Sequence, residues 1–125
     1  MRRSIFMVLV FALSAFGMQA VAQNSFERVI KSYNSQLSAH QYLPAAKSAV
    51  AASALCADAK NYDGAFKMLT NTAKYLGQRH VTPDSLPAVF FTLEKGKFDL
   101  YMRLKNNSGA TKAIQTMANY AKKAN

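Results

Sequence analysis

The chain has no tryptophan, one cysteine, three prolines, five glycines, and six acidic residues against sixteen lysines and arginines. Each scarcity excludes something. A single cysteine, Cys56, cannot close an internal disulfide in any compartment, so a disulfide scaffold is ruled out. Its neighbours, Ser53-Ala54-Leu55 before it and Ala57-Asp58-Ala59 after it, are small and largely apolar, with no cation to activate the thiol. Cys56 therefore reads as a small buried hydrophobe. The two histidines, His40 and His80, have no cysteine or acidic neighbour at ligand spacing, so no metal site and no cofactor is expected. No C-x-x-C-H haem attachment occurs, and Met68, Met102 and Met117 read as inward core fillers rather than as ligands. Glu27, Asp58, Asp63, Asp84, Glu94 and Asp99 are scattered, most of them at expected helix starts or turns, so no carboxylate pair is placed for acid–base work. No stretch alternates apolar and polar residues with period two, which leaves an all-helical class.

The chain opens with Arg2 and Arg3, followed by an uncharged apolar stretch over residues 5–17. A positive n-region, an h-region of that length and the small-residue exit Ala20-Val21-Ala22 make a secretory signal peptide over residues 1–22. Signal peptidase requires small side chains at −1 and −3, so the cut is expected between Ala22 and Gln23. Residues 23–125 then form a single domain carrying fourteen cationic and six acidic side chains. The competing reading is an uncleaved anchor, which at 18 residues interrupted by Gly17 and Gln19 is at the short end for a bilayer span. After cleavage no transmembrane segment is expected, and the product belongs in the periplasm or outside the cell.

Six helices are expected in that domain. The first opens at Ser25 as N-cap, with Phe26, Val29, Ile30, Tyr33 and Leu37 in one apolar stripe. Pro44 suits the first turn of the second, whose alanine-rich run over 45–60 is thin enough to sit centrally. Residues 61–64 break it. The third runs over 65–78 with Phe66, Leu69, Ala73 and Leu76 inward, closed by Gly77. Residues 80–86 are the loop, with Asp84 or Ser85 as the next cap. A fourth helix over 87–95 is expected to stop at Gly96, and a fifth to follow at 98–106. After a break at 106–109, the last helix would bury Ala110, Ile114, Met117 and Ala121.

Shifting the chain by 36 residues lays Tyr62 on Phe98, Asp63 on Asp99 and Phe66 on Met102. A helix, an aromatic turn and a second helix thus occur twice, the signature of stacked helical hairpins. Over residues 45–107 the pattern resembles the tetratricopeptide repeat. Residues 61–65 look like its turn and the first small residue of its second helix, with Leu69 at a later packing position and Ser53 at the small position of the first helix. The family's large first-helix aromatic is replaced by Ala49, and Tyr101 stands where the second unit would have alanine. The resemblance implies two hairpins flanked by capping helices at 25–40 and 110–124, which bind a peptide or helix in a groove and perform no chemistry. A small closed helical bundle is the alternative architecture.

The functional expectation is an exported, non-catalytic module binding a protein, a peptide or an anionic envelope component. The groove would be lined by Tyr62, Phe66, Tyr75, Phe98 and Tyr101 and rimmed by Lys60, Lys67, Lys74, Lys97 and Arg103. No nucleic acid is expected, since no basic–aromatic reader motif is present. Two alternatives stand beside this: a small envelope enzyme using Glu94 or Glu27 as acid, and a peripheral protein of anionic membrane surfaces.

Overall fold

The computed structural model describes residues 20–124, and among these every regular element is a helix. The helices are α1 (Ala20–Ser38), α2 (Tyr42–Asp58), α3 (Tyr62–Gln78), α4 (Pro87–Arg103) and α5 (Asn107–Ala124). The signal peptide expected over residues 1–22 lies, but for its last three residues, outside the described residues. The bond between Ala22 and Gln23 falls in the first turn of α1. Ser25, expected as the cap, instead lies in the second turn, because the residues before it continue the helix.

The expected six helices are five. Residues 87–95 and 98–106 are not separate helices; α4 runs unbroken through Gly96. That glycine serves close packing rather than termination. A Cβ placed on it would lie 3.1 Å from both Leu69 Cδ1 and Val50 Cγ2, so α4 presses there against α3 and α2. Residues 110–124, expected as a flanking cap, therefore form the second limb of the hairpin that α4 begins.

Three-residue turns at 39–41, 59–61 and 104–106 each fold a helix back on the one before. In all three, and again at 79–81, a residue with positive φ ends the helix: His40 (59°), Lys60 (65°), His80 (63°) and Lys105 (56°). The following N–H reaches back five residues, as in Gln41 to Gln36 O at 2.8 Å and Asn61 to Cys56 O at 2.8 Å. Val81 to Leu76 O and Asn106 to Tyr101 O, both 2.9 Å, repeat it. This is a Schellman closure with lysine or histidine where glycine is usual. Gly77, expected in that role for α3, instead lies inside its last turn. At the entry to α4, Ser85 Oγ closes a turn on the carbonyl of Thr82 at 2.9 Å and does not cap the helix, which begins with Pro87.

α2 is central, touching α1, α3 and α4, while α5 packs on α4. Its alanines make this possible: Ala45, Ala46, Ala49 and Ala52 are fully buried, as are Ser53 and Cys56. α2 and α4 run parallel. Their first turns share a cleft, Val50 lies by Gly96 at mid-length, and Asp58 and Arg103 pair at their ends. The α1 stripe is as expected, with Phe26, Ile30, Tyr33 and Leu37 buried and worth roughly 1.5–3 kcal/mol each. On α5 it is Ala110 and Ala113 that are buried, whereas Ile114 is 53 % exposed. Met68 is buried as expected, but Met102 stands 53 % exposed near the end of α4.

The hairpin α2–α3 maps onto α4–α5 with a shift of 45 residues, not 36. Lys60-Asn61-x-x-Gly64-Ala65-x-Lys67 recurs as Lys105-Asn106-x-x-Gly109-Ala110-x-Lys112. The repeat has a mechanical meaning. Asn61 Oδ1 accepts from the Gly64 N–H at 2.9 Å, and Asn106 Oδ1 from the Gly109 N–H at 3.0 Å, so each motif turns and caps a helix. Tyr62 and Phe98 are thus not equivalent, since one opens α3 and the other lies in the middle of α4.

Candidate functional site

The expected groove aromatics divide between two places. The Phe66 and Tyr101 rings meet across α3 and α4 with centroids 4.9 Å apart. Gly109 of α5 lies against the Tyr101 ring, where a Cβ would come within 2.4 Å of Cδ1. Tyr62 is half-buried and packs on the core, and Phe98 is half-buried on α4. Tyr75 is inside the core, only 6 % exposed, with the Arg79 guanidinium 5.1 Å from its ring centroid. These five side chains do not form one continuous lining.

The cations expected on the rim are likewise differently engaged. Lys67 pairs with Asp63 at 3.0 Å, Lys97 with Glu94 at 3.8 Å, and Arg103 with Asp58 at 2.8 Å. Lys60 occupies the left-handed turn after α2, and Lys74 is exposed on α3. Adding Lys95–Asp99 at 3.8 Å and the Lys123–Asp84 contact, every side-chain carboxylate among the described residues but Glu27 lies beside a cation. By contrast, Arg28, Lys31, Lys47, Lys60, Lys74, Lys105, Lys112 and Lys122 have no carboxylate within 4.0 Å among the described residues. The acids are consumed internally, and the surplus charge faces outward.

One apolar cleft lies beside part of that surplus. It is a hollow of about 370 Å³ between the first turns of α2 and α4 and the last turn of α5. Leu43, Phe91, Ala88 and Ala121 line it, with Tyr120 on one side and Lys47 at the edge. Tyr120 is fixed by an edge-on contact with Phe90, centroids 6.2 Å apart. Burial, and then the Glu94 carboxylate, push its phenol pKa up, and Lys123 partly offsets them. The helices that open here lack side-chain caps, as neither Gln41 before α2 nor Leu86 before α4 provides one, whereas Asn61 caps α3. None of these lining residues was expected as a binding residue, although Ala121 was expected inward, because they come from three segments each about 30 to 45 residues apart.

His40 and His80 lie at turns on the end where α2 and α4 start; His40 Nδ1 is 2.8 Å from Tyr42 Oη. Among the described residues no group of three or more His, Cys, Asp or Glu side chains is placed to hold a metal ion. Glu94 and Glu27, the acids of the enzymatic alternative, stand apart: the first half-buried on α4, the second exposed on α1. Cys56 is fully buried, and desolvation pushes its thiol up to about 12, which keeps it protonated and unreactive. No helix among the described residues is long and apolar enough to cross a membrane.

No family model, no curated protein and no solved structure matches the chain.

Proposed function

We propose that the chain is an exported, non-catalytic helical interaction module that binds an acidic protein or peptide in the cell envelope or beyond it. The observation that carries this reading is the distribution of charge. Among the described residues five of the six side-chain carboxylates pair with a lysine or arginine at the surface, while other lysines there have no carboxylate partner, one of them at the edge of an open apolar cleft. A basic surface of this kind raises the local concentration of an anionic partner, and an apolar cleft supplies the contact that charge alone cannot. The export half of the reading rests on Arg2, Arg3, the apolar stretch and the Ala20-Val21-Ala22 exit. Helical hairpins with small central residues support the interaction half.

Two measurements test it. Amino-terminal sequencing of the chain recovered from secreting cells should begin at Gln23; a membrane-held product beginning at Met1 refutes export by cleavage. Immobilised protein should retain an acidic envelope protein at low salt and release it at high salt. Nothing retained at low salt refutes the module itself.

A further inference from the structure

On the interaction-module reading, we propose that the cleft between the first turns of α2 and α4 and the last turn of α5 seats one or two apolar side chains of an acidic partner segment, with Lys47 facing one of its carboxylates. The size of the cleft selects this occupant. Leu43 to Lys47 spans one helical turn, Pro87 to Thr92 about one and a half, and Tyr120 to Ala124 one. At 1.5 Å per residue the hollow is roughly 6–8 Å long. That length takes an anchor such as a leucine and a phenylalanine one turn apart, and it is too short to cover an acyl chain.

Its walls are poorly suited to water. Of the lining side chains, Leu43 keeps 36 % of its surface exposed and Phe91 is half-buried. Most of the large apolar side chains of α1 and α3 are fully buried, and of the exposed ones Met102, Leu104 and Ile114 lie towards the opposite end of the stack. The charge around the hollow is complementary to an acid. Lys47 has no carboxylate partner among the described residues, and Lys122 is exposed on the last turn of α5. The nearest acids by position, Asp84 and Glu94, are held by Lys123 and Lys97. An arriving glutamate therefore meets an unneutralised ammonium at the edge of an apolar seat, the pairing of anchor and rim that gives small interfaces their specificity.

The test uses the full chain and a fluorescein-labelled, glutamate-rich peptide carrying one Leu and one Phe four positions apart. Binding is followed by anisotropy at low salt, with circular dichroism showing that each variant keeps its fold. Ala88 is exposed, so Ala88→Trp fills the cleft without disturbing the core, and Lys47→Glu reverses the edge charge. Each should weaken binding on the order of tenfold. Lys105→Glu, the same charge change at the opposite end of the stack, should cost no more than about threefold. A peptide with Ala in place of Leu and Phe should lose most of its affinity. If the probe binds but neither Ala88→Trp nor Lys47→Glu weakens it, the cleft is not the seat, although the module reading survives. If that peptide binds no variant and the envelope extract also yields nothing, the module reading falls as well. Displacement of the probe by phosphatidylglycerol vesicles, abolished by Ala88→Trp, would assign the cleft to lipid and overturn the peptide assignment.

Discussion

Tyr33 Oη of α1 lies 2.8 Å from Thr72 Oγ1 of α3, inside the core. The Thr72 hydroxyl also lies 2.8 Å from the Met68 carbonyl, to which it donates its single proton. Tyr33 must therefore be the donor in the first bond, and Thr72 passes the chain of polarity on to the helix backbone. The link ties α1 to α3 across the alanine-rich α2 between them.

The order of these bonds makes the two partners unequal. Tyr33→Phe leaves Thr72 with a partner and should cost about 1 kcal/mol, whereas Thr72→Val leaves a buried phenol unpaired and should cost about 1–3 kcal/mol. Urea unfolding followed by circular dichroism measures both. A double variant no worse than Thr72→Val alone would show the coupling. Equal single costs that simply add would mean that the bond contributes nothing.

Two glycines separate packing from conformation. At Gly96 the atoms a Cβ would meet are methyl groups of Leu69 and Val50 at 3.1 Å, which must give by a few tenths of an ångström, while alanine improves helix propensity by about 1 kcal/mol. Gly96→Ala should therefore be close to neutral, while Gly96→Leu, far too large for the seam, should cost about 2–3 kcal/mol. At Gly109 the Cβ would come within 2.4 Å of the Tyr101 ring, which is itself in tilted contact with Phe66. Gly109→Ala should cost more than Gly96→Ala and disturb the near-ultraviolet tyrosine signal. Identical melting temperatures for the two alanine variants would refute this.

What was legible in the sequence follows from which interactions are local. The α1 stripe of Phe26, Ile30, Tyr33 and Leu37 could be read because a helix face repeats along the chain, and the thin central α2 because alanine announces itself. Gly96 misled because glycine stops a helix and also lets two helices touch, and the choice depends on Leu69 and Val50, which are distant in sequence. Ile114 was expected inward because it is apolar; α5 packs chiefly on α4, and does so with its small residues, Ala110 and Ala113, turned in. The repeat was sought through aromatics, whereas the positions that recur are the lysine, asparagine and glycine of the turn. The cleft could not be read locally at all, since α2, α4 and α5 each contribute about one turn.

The left-handed turns make a further prediction. His40, Lys60, His80 and Lys105 adopt a conformation that costs a side-chain-bearing residue about 1–2 kcal/mol, part of which glycine returns through its greater entropy when unfolded. Lys60→Gly or Lys105→Gly should therefore stabilise the fold by about 0.5–1 kcal/mol, and Lys60→Val should destabilise it. Thermal melts decide this. Destabilisation by glycine at these positions would mean that the native side chain makes a compensating contact.

Cys56 sets a limit at alkaline pH. Burial raises its thiol from an ordinary value of 9.0 to about 12, so the folded state holds the proton after the unfolded chain has released it. The stabilisation is complete below pH 9 and is lost progressively as pH rises from about 9 to 12, at up to about 1.4 kcal/mol per pH unit. Tyr33, whose phenol is also raised by burial, adds a loss of the same sign above its ordinary 10.0. Cys56→Ala removes the first contribution only. At pH 7 it should be the less stable protein by about 1–2 kcal/mol, through the cavity left where the fully buried thiol was. That gap should close near pH 10 and then reverse, because lysine titration is common to both proteins and cancels in the comparison. Urea midpoints of the two at pH 7, 9 and 10.5 measure it, and a gap that stays constant across the series would show that the thiol titrates in the folded protein as it does in the open chain.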